Sequence, residues 1–292
     1  MGSSLKYIVD IEKESIKAGV YLRTICNLSA RSRKILKRTE GGILRNGELL
    51  RTIDFLYPGD IVEINLPEEE NAIVPVEGEL SVLYEDTYII IVNKPPFVPV
   101  HPVKVHQLNT LANFIAHRYR EEDKEFVFRA ANRLDKDTSG AVLISKDRHT
   151  ASLLQKTHIE KHYTALCHGV LRSSGTVNEP IDLMPDSKIV RCVTPQGKRA
   201  VTHYDPLMYF EDAPLLDLTL ETGRTHQIRC HMSYLGHPLM GDDLYGGKRD
   251  LINRQALHCK SLRFIHPFSG KEIYVEAPLF DDMKNLINEI KP

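Results

Sequence analysis

The chain has 292 residues, of which 42% are hydrophobic and 26% charged, and a formal net charge of −1. This composition is typical of a globular protein with a substantial core, and the balanced charge does not by itself indicate a nucleic-acid partner. No apolar run is long enough to span a bilayer, and five scattered cysteines without a CxxC pair fit free thiols in a reducing cytosol rather than a disulfide framework.

The first predicted unit covers residues 1–66 and combines a helix with a hairpin and a strand. A helical stretch at residues 29–39 precedes Asn46-Gly47, a strong hairpin-turn signal, and an alternating strand follows at residues 61–64. The helical stretch is rich in positive charge, with Arg31, Arg33, Lys34, Lys37 and Arg38. A solvated helix face is the ordinary explanation for such charges. Five cations with no acidic neighbour before Glu40 exceed what solubility needs, so we predict contacts with phosphate groups.

Residues 67–79 are predicted to be an exposed, mobile linker, because Pro67 leads an acidic run and Pro75 and Gly78 follow. Residues 80–292 form the second predicted domain, with strands at residues 81–92, 140–145, 161–170, 199–204, 215–220, 256–264 and 272–275. Helices are predicted after Thr110 and Asp147, from near Thr225, and at residues 281–290. Strands outnumber helices without alternating with them, which predicts an α+β fold with a mixed, mainly antiparallel sheet.

The segment NRLDKDTSG at residues 132–140 is the densest candidate site. It places Asp135 between Arg133 and Lys136, directly before the apolar strand at residues 141–144. A strand fixes the backbone of such a loop and the loop presents its side chains, a common arrangement for chemistry. An acidic residue in a turn is more often a capping or solvated residue, so the rest of the chain has to support a catalytic role.

A second dense segment, ETGRTHQIRCHMSYLGH, occupies residues 221–237. Thr225 is predicted to cap a helix that carries His226 and Arg229 on one face. An arginine held on a helix can pair with a carboxylate elsewhere in the fold, and Asp135 is the natural partner for Arg229.

Histidines in the same segment raise the alternative of a metal-dependent hydrolase. His226, Cys230, His231 and His237 could supply ligands, but the chain has no HExxH spacing and no CxxC pair. Histidines bonded within a helix and turn are the better interpretation, so we predict no metal. Nucleotide-binding and serine-hydrolase motifs are also missing from the sequence, so we predict no cofactor.

The third segment, Lys161-His162-Tyr163-Thr164, is a predicted strand. Alternation turns Tyr163 to the face opposite His162 and Thr164. A tyrosine in a strand is most often a half-buried packing residue, although a ring at the edge of a cleft can also stack on a base.

Several motifs, in order, resemble the RluA-type pseudouridine synthases over residues 80–279. NRLDKDTSG resembles the RLDxxTSG signature, and the segment from Lys161 to Gly169 resembles the KxYxAxxxG strand. Residues 220–245 resemble the LxTGRTHQIRxHxxxxGHPxxGDxxYG block. The first 66 residues resemble, more weakly, an αL-type RNA-binding domain. Two positions depart from the family pattern, Asn132, where His is frequent, and Phe97, where Gly is frequent.

The resemblance implies that the chain isomerises uridine to pseudouridine in RNA without a cofactor. It assigns the essential catalytic role to Asp135, as nucleophile or as base, with Arg229 paired to it and Tyr163 stacked on the displaced uracil. It also implies substrate contacts by Arg133, Thr138 and Ile228, with Arg133 filling the gap that the flipped base leaves.

The resemblance favours large-subunit ribosomal RNA as the substrate, with transfer RNA as an alternative. A catalytically inactive RNA-binding protein is a further alternative, although a pure binder gains nothing obvious from Asp135, Tyr163 and Arg229 together. We expect a cytoplasmic monomer that binds RNA and no membrane.

Overall fold

The computed structural model describes residues 4–12, 14–65, 73–103, 107–122, 126–210 and 213–290. The strands are β1 Ser4–Ile8, β2 Ile16–Lys17, β3 Ile43–Arg45, β4 Glu48–Leu49, β5 Phe55–Leu56, β6 Ile61–Asn65, β7 Ser81–Glu85, β8 Ile89–Lys94, β9 Arg129–Ala130, β10 Ser139–Ser145, β11 Glu160–Leu166, β12 Gly175–Val177, β13 Ile181–Leu183, β14 Arg191–Val193, β15 Thr202–Phe210, β16 Ala213–Leu220, β17 Leu257–Ile265 and β18 Glu272–Glu276. The α-helices are α1 Ala18–Thr24, α2 Ala30–Leu36, α3 Leu111–Glu121, α4 Arg148–Leu154, α5 Gln227–Tyr234 and α6 Asp281–Glu289, and residues Asp243–Tyr245 form a 3-10 helix.

The N-terminal residues build a small sheet in the order β1-β6-β3-β4. The predicted hairpin turn is confirmed, because Asn46 and Gly47 join β3 to β4 with positive φ angles of 52° and 88°, as a tight two-residue turn requires. The predicted basic helix is α2, and its first turn is capped by Ser29, whose hydroxyl accepts the Ser32 N–H at 3.0 Å. Helix α1 carries no strong sequence signal and was not predicted. The buried apolar side chains of this unit, among them Tyr21 and Val62, form a cluster of their own.

Two short sheets pair β2 with β5 and β13 with β14, and a large sheet with the order β12-β15-β16-β11-β17-β10-β8-β7, with β18 on β17 and β9 on β10, forms most of the fold after β6. Within this sheet β10 and β17 pair in parallel, and the other pairs are antiparallel. The α+β fold with a mixed, mainly antiparallel sheet is therefore confirmed. The strands at its centre are buried on both faces, since every residue of β8 and of β10 is buried, which explains their continuous apolar runs.

One predicted strand was wrong. Residues 81–92 were expected to form a single strand, but they form β7 and β8, which pair as a hairpin. Asp86 makes the turn, because its Oδ1 accepts the N–H groups of Tyr88 at 2.7 Å and Ile89 at 2.9 Å. A side chain that bonds to the backbone in this way ends the extended conformation.

Two of the predicted caps in the larger domain are confirmed and one is wrong. Thr110 begins α3 with a capping box and Asp147 caps α4. The helix expected from Thr225 begins instead at Gln227, after a left-handed residue at position 226. The side chain of Gln227 supplies the reason, because its Oε1 accepts the Arg224 N–H at 2.9 Å and so organises the turn before the helix.

The predicted linker is anchored in its second half. Residues 66–72 lie outside the described ranges. Beyond them, the Asn113 side chain donates to the carbonyl of Val74 at 2.7 Å, and the Val76 N–H donates to the carbonyl of Asn113 at 3.2 Å. This part of the chain is therefore fastened to α3 rather than being a free connection. Within the described ranges, no helix is both long and apolar enough to cross a bilayer.

Candidate active site

The loop between β9 and β10 carries Asp135 and is tied to the sheet at its start. Asn132 is buried, its amide donates to the Ala141 carbonyl at 3.0 Å, and its Oδ1 accepts the Leu143 N–H at 2.8 Å. The Thr138 N–H donates to the Asp135 carbonyl at 3.1 Å and closes a tight turn. Asn132, one of the two departures from the family pattern, therefore fixes the loop by bonding to the backbone of β10.

Two buried basic side chains hold the same loop. Lys94 Nζ donates to the carbonyl of Lys136 at 2.9 Å as well as to those of Pro95 and Val98. Arg254 Nη1 donates to the carbonyl of Asp137 at 3.1 Å, and its guanidinium is paired with Asp282 of α6. Burial lowers the pKa of Lys94 to about 7. The consecutive carbonyls of Lys136 and Asp137, directly after Asp135, each accept a hydrogen bond from a buried side chain, which helps to fix the position of the carboxylate.

Arg229 on α5 reaches Asp135, which was predicted to be its partner. Its Nη1 donates to Asp135 Oδ2 at 3.0 Å, and the two side chains are 8% and 27% exposed. Burial opposes the charge of Arg229, but hydrogen bonds and charges from Asp242 and Asp135 outweigh burial and raise the pKa of the guanidinium. The arrangement supplies a partly exposed carboxylate with one oxygen held by a permanent cation.

Asp242 anchors Arg229, and the sequence reasoning did not single it out. Its two carboxylate oxygens accept Nε at 2.7 Å and Nη2 at 2.8 Å. The guanidinium carbon also lies 5.0 Å from the centre of the Tyr245 ring, a favourable cation–π distance. Asp242 and Tyr245 both belong to the GDxxYG part of the family block, and this motif was the available signal.

His226 also faces the carboxylate. Its Nε2 lies 3.7 Å from Asp135 Oδ2, and its Nδ1 lies 3.0 Å from the Tyr245 hydroxyl. His226 was expected on the helix face shared with Arg229, but it precedes the helix and has a left-handed backbone with φ of 55°. The two side chains still meet at Asp135 because the turn before α5 directs the ring back toward the cleft.

Tyr163 of β11 lies in the wall of the same cleft and is buried. Burial raises the pKa of its phenol well above the usual value, and Cys259 and Asp135 add to that effect. His162 lies on the opposite face, where its Nδ1 is 3.0 Å from Asp217 Oδ2, as strand alternation predicted. The neutral, buried ring of Tyr163 therefore offers an apolar surface beside the carboxylate.

The cleft above Asp135 has a volume of about 540 Å³ and extends from His101 to Thr225. Arg133 is exposed at its edge. A smaller pocket shares Arg133, Asp135 and Tyr163 with this cleft, and Ile228 is buried in the wall of the smaller pocket. Thr138 also lines the smaller pocket, but its hydroxyl accepts the amide of Gln255 at 3.1 Å. The structure thus brings together all six residues that were predicted to be catalytic or to contact substrate, Asp135, Tyr163, Arg229, Arg133, Thr138 and Ile228.

The predicted RNA-binding residues lie on the N-terminal unit. Arg33, Lys34 and Lys37 line a concave depression with a volume of about 440 Å³, to which Lys17 and Arg23 also contribute. Arg38 is exposed just beyond α2, while the side chain of Arg31 lies outside what the structure describes. The sequence reasoning missed Lys17 and Arg23, because helix α1 was not predicted. We refer to Lys17, Arg23, Arg33, Lys34 and Lys37 as the basic surface.

The histidines considered as metal ligands point in different directions. The two ring nitrogens of His231 are 2.9 Å from Thr202 Oγ1 and 2.9 Å from the Glu179 carbonyl. His237 Nδ1 is 3.0 Å from the carbonyl of His168, and His226 faces Asp135. In the described part of the chain, no three His, Cys, Asp or Glu side chains are grouped to hold a metal ion.

Phe97, the second departure from the family pattern, has a φ angle of 65° and is half-exposed. Left-handed backbone is costly for a residue with a side chain and free of that cost for glycine. The backbone at this position explains why glycine is frequent there in the family.

Comparisons with known proteins match this chain to RNA pseudouridine synthases. A family model described as RNA pseudouridylate synthase matches residues 88–234. An uncharacterised RNA pseudouridine synthase of Bacillus subtilis is 42% identical over 255 residues, covering 85% of this chain and 90% of that protein. Ribosomal large subunit pseudouridine synthase D of Escherichia coli K12 is 38% identical over 269 residues, covering 85% of this chain and 82% of that protein. The solved structure of human RNA pseudouridylate synthase domain containing 1 has a TM-score of 0.56 at 26% identity, covering 73% of this chain and 94% of that chain.

The fold, the cleft and these matches define an RNA-modifying isomerase. Because the family model and relatives of more than 30% identity cover so much of the sequence, the chain belongs to the RNA pseudouridylate synthase family, in its RluA-type branch.

Proposed function

We propose that this protein converts specific uridines of large-subunit ribosomal RNA to pseudouridine, with Asp135 as the essential catalytic residue. The contact that carries the proposal is the one between Arg229 Nη1 and Asp135 Oδ2, 3.0 Å long. Either role for the carboxylate, attack on the sugar or removal of a sugar proton, needs an ionised and firmly held group. Arg229, itself anchored by Asp242, supplies both conditions.

The reaction breaks the bond between uracil N1 and the sugar, turns the base and joins C5 to the same sugar carbon, while C5 loses its proton and N1 gains one. Substrate and product have the same atoms and the same oxidation state, so the reaction needs no oxidant, reductant or group donor. The residues of the cleft hold and orient the base, act on the sugar through Asp135 and move protons. Asp135 Oδ2 accepts from Arg229, whereas Oδ1 has no hydrogen-bond partner among the described residues. We assign the reactive role to Oδ1.

We assign the detached uracil to the smaller pocket that adjoins the cleft, between Tyr163, Ile228 and Leu257. A planar base stacks well on an aromatic ring, and each such contact contributes about 1–3 kcal/mol. The phenol of Tyr163 has a strongly raised pKa because it is buried, so the hydroxyl keeps its proton at neutral pH. This favours stacking over proton removal as its role.

Uridine in a paired region must leave the stack to reach Asp135, at a cost of a few kcal/mol. Arg133 lies two residues before Asp135 and is exposed at the edge of the cleft. We assign it to the gap that the flipped base leaves, where a guanidinium can stack on neighbouring bases and contact phosphate.

Ribosomal RNA is proposed as the substrate because the Escherichia coli relative bears the name of a large-subunit enzyme and because the basic surface can follow a folded RNA backbone. The five free cysteines fit a reducing cytoplasm, where ribosomes are made. We propose that the protein acts there as a monomer.

Mapping pseudouridines in ribosomal and transfer RNA from a strain that lacks this gene tests the function. We expect one or a few large-subunit sites to revert to uridine, and wild-type protein to restore them while Asp135→Asn does not. Loss of modification in transfer RNA alone would assign that RNA as the substrate. Unchanged modification everywhere, or full restoration by Asp135→Asn, would overturn the proposal.

The basic surface is tested by salt titration of RNA binding. The triple change of Arg23, Lys34 and Lys37 to Gln should weaken binding and reduce the slope of log affinity against log salt by about 2, since each phosphate contact contributes roughly 0.7 on single strands. A matched triple change of Arg249, Lys271 and Lys284 to Gln, all exposed and outside the basic surface, removes the same charge. Equal slopes for the two triple variants would show that the basic surface does not contact RNA.

A further inference from the structure

The turn between β16 and α5 holds a histidine against the proposed catalytic carboxylate. His226 Nε2 lies 3.7 Å from Asp135 Oδ2, and the side chain of His226 is only 11% exposed. Its backbone is left-handed, with φ of 55° and ψ of 22°, a conformation that residues other than glycine adopt infrequently. Backbone of this kind persists where the surrounding structure imposes it, and such places are concentrated at functional sites.

Tyr245 determines which nitrogen of His226 carries the proton. Burial raises the pKa of Tyr245 to about 12, so its hydroxyl keeps its hydrogen at neutral pH. The oxygen accepts the Arg191 N–H at 2.9 Å, and His226 Nδ1 lies 3.0 Å away. Among the described residues that hydroxyl has no further acceptor, so it donates to Nδ1. The imidazole proton is then on Nε2, the nitrogen that faces Asp135.

The ring is a neutral donor rather than a cation. Burial lowers the pKa of His226, and the charges of Arg229 and Arg191 act in the same direction, whereas Asp135 and Asp242 oppose them. The 3.7 Å separation from Asp135 is too long for a hydrogen bond. Contacts of this kind are often long without substrate and shorten in the complex.

We propose that His226 is a positioning residue for this isomerisation, whose Nε2–H donates to Asp135 Oδ2 in the substrate complex. Arg229 donates to the same oxygen at 3.0 Å, so two donors would converge on Oδ2 and turn Oδ1 toward the sugar. The inference rests on the proposed function of Asp135. It adds to Arg229 a second hydrogen-bond donor for Asp135, which lies in the turn before α5 and whose tautomer is set by Tyr245.

Two substitutions separate this role from a purely structural one. In His226→Asn, the new residue tolerates left-handed backbone. Its side-chain amide reaches about as far as Nδ1 of histidine, so it can still contact Tyr245 but cannot reach Asp135. His226→Gln places an amide N–H near the position of Nε2 and gives up the contact with Tyr245. Turnover is measured by tritium release from RNA labelled at uracil C5, with wild-type protein and Asp135→Asn in the same experiment.

We expect His226→Asn to lower kcat by roughly 10- to 100-fold with KM within about twofold of wild type, as a misplaced reacting group predicts. His226→Gln should recover at least several-fold of that loss, and both variants should melt as cooperatively as wild type. Wild-type kcat in His226→Asn, a change confined to KM, or no recovery by Gln would overturn the positioning role. An active Asp135→Asn protein would instead overturn the proposed function itself, so the two failures are distinguishable.

Discussion

Replacement of Asp242 by Asn tests whether the carboxylate beneath Arg229 holds that arginine in place. Asp242 accepts Nε at 2.7 Å and Nη2 at 2.8 Å, and its side chain is 1% exposed. An amide of the same shape keeps one acceptor oxygen but turns an NH2 group toward the second N–H of Arg229. One hydrogen bond is therefore lost, and the other is no longer made to a charged acceptor.

The size of the effect follows from these contacts. A hydrogen bond between charged groups contributes about 1.5–3 kcal/mol, and breaking a buried ion pair costs roughly 3–5 kcal/mol. Asp135 remains as a partner for Arg229, so we expect the lower end, a loss of about 3 kcal/mol in the free energy of unfolding. Arg229 is then free to turn toward Asp135 and shift the carboxylate, and a displacement of about 1 Å at a reacting group lowers turnover roughly 100-fold.

Urea unfolding and tritium release at saturating RNA measure the two losses. Asp243→Asn is the matched control, because that neighbouring carboxylate is 59% exposed and pairs with Arg249 at 2.8 Å on the surface. A surface pair contributes about 1 kcal/mol or less, so this variant should keep both stability and turnover. If Asp242→Asn behaves like Asp243→Asn, the anchoring role assigned to Asp242 is wrong.

Local signals in the sequence predicted the parts of the fold that local interactions determine. Thr110 and Asp147 cap helices within three residues of themselves, and Asn46-Gly47 makes a turn by its own backbone preference. The pairing of Arg229 with Asp135 was also predicted, although the two lie in distant segments. It rested on chemical complementarity between two unusually polar segments, which a sequence displays directly.

Interactions that depend on the tertiary fold were missed. Asp242 meets Arg229 only because the chain turns back after α5, and nothing in the spacing of the two residues reports that turn. Burial of Lys94 beneath the loop that carries Asp135 is equally hidden, since a lysine after an apolar strand usually signals exposure. The start of α5 was misplaced because Gln227, rather than Thr225, bonds to the preceding turn.

Substitutions at three further positions, Arg229, Phe97 and His258, test other features of the structure. Arg229→Lys keeps a positive charge but cannot contact Asp135 and Asp242 together. Turnover in the tritium assay should therefore fall strongly while remaining above that of Arg229→Ala. Equal turnover of the wild-type and Lys proteins would show that the several N–H donors of the guanidinium are not needed. Phe97→Gly should be about 1 kcal/mol more stable to urea than Phe97→Ala, because only glycine escapes the cost of the φ angle of 65° at that position; equal stabilities would contradict the argument from backbone strain. His258 is buried, with Nε2 2.9 Å from the Ala277 carbonyl and Nδ1 2.9 Å from Ser139 Oγ, and burial lowers its pKa to about 4. Below the usual pKa of about 6.5 the unfolded chain binds a proton that the folded protein does not, so stability falls as pH drops from about 6.5 to 4. The full difference of about 2.5 pH units corresponds to roughly 3 kcal/mol. Because Ser139 begins β10 directly after the loop that carries Asp135, this loss should loosen that loop as well. Glutamine in His258→Gln cannot take up that proton. The urea midpoint of this variant should therefore change less between pH 7.5 and pH 4.5 than the midpoint of wild type. Identical pH dependence in the two proteins would show that His258 is not buried in its neutral form.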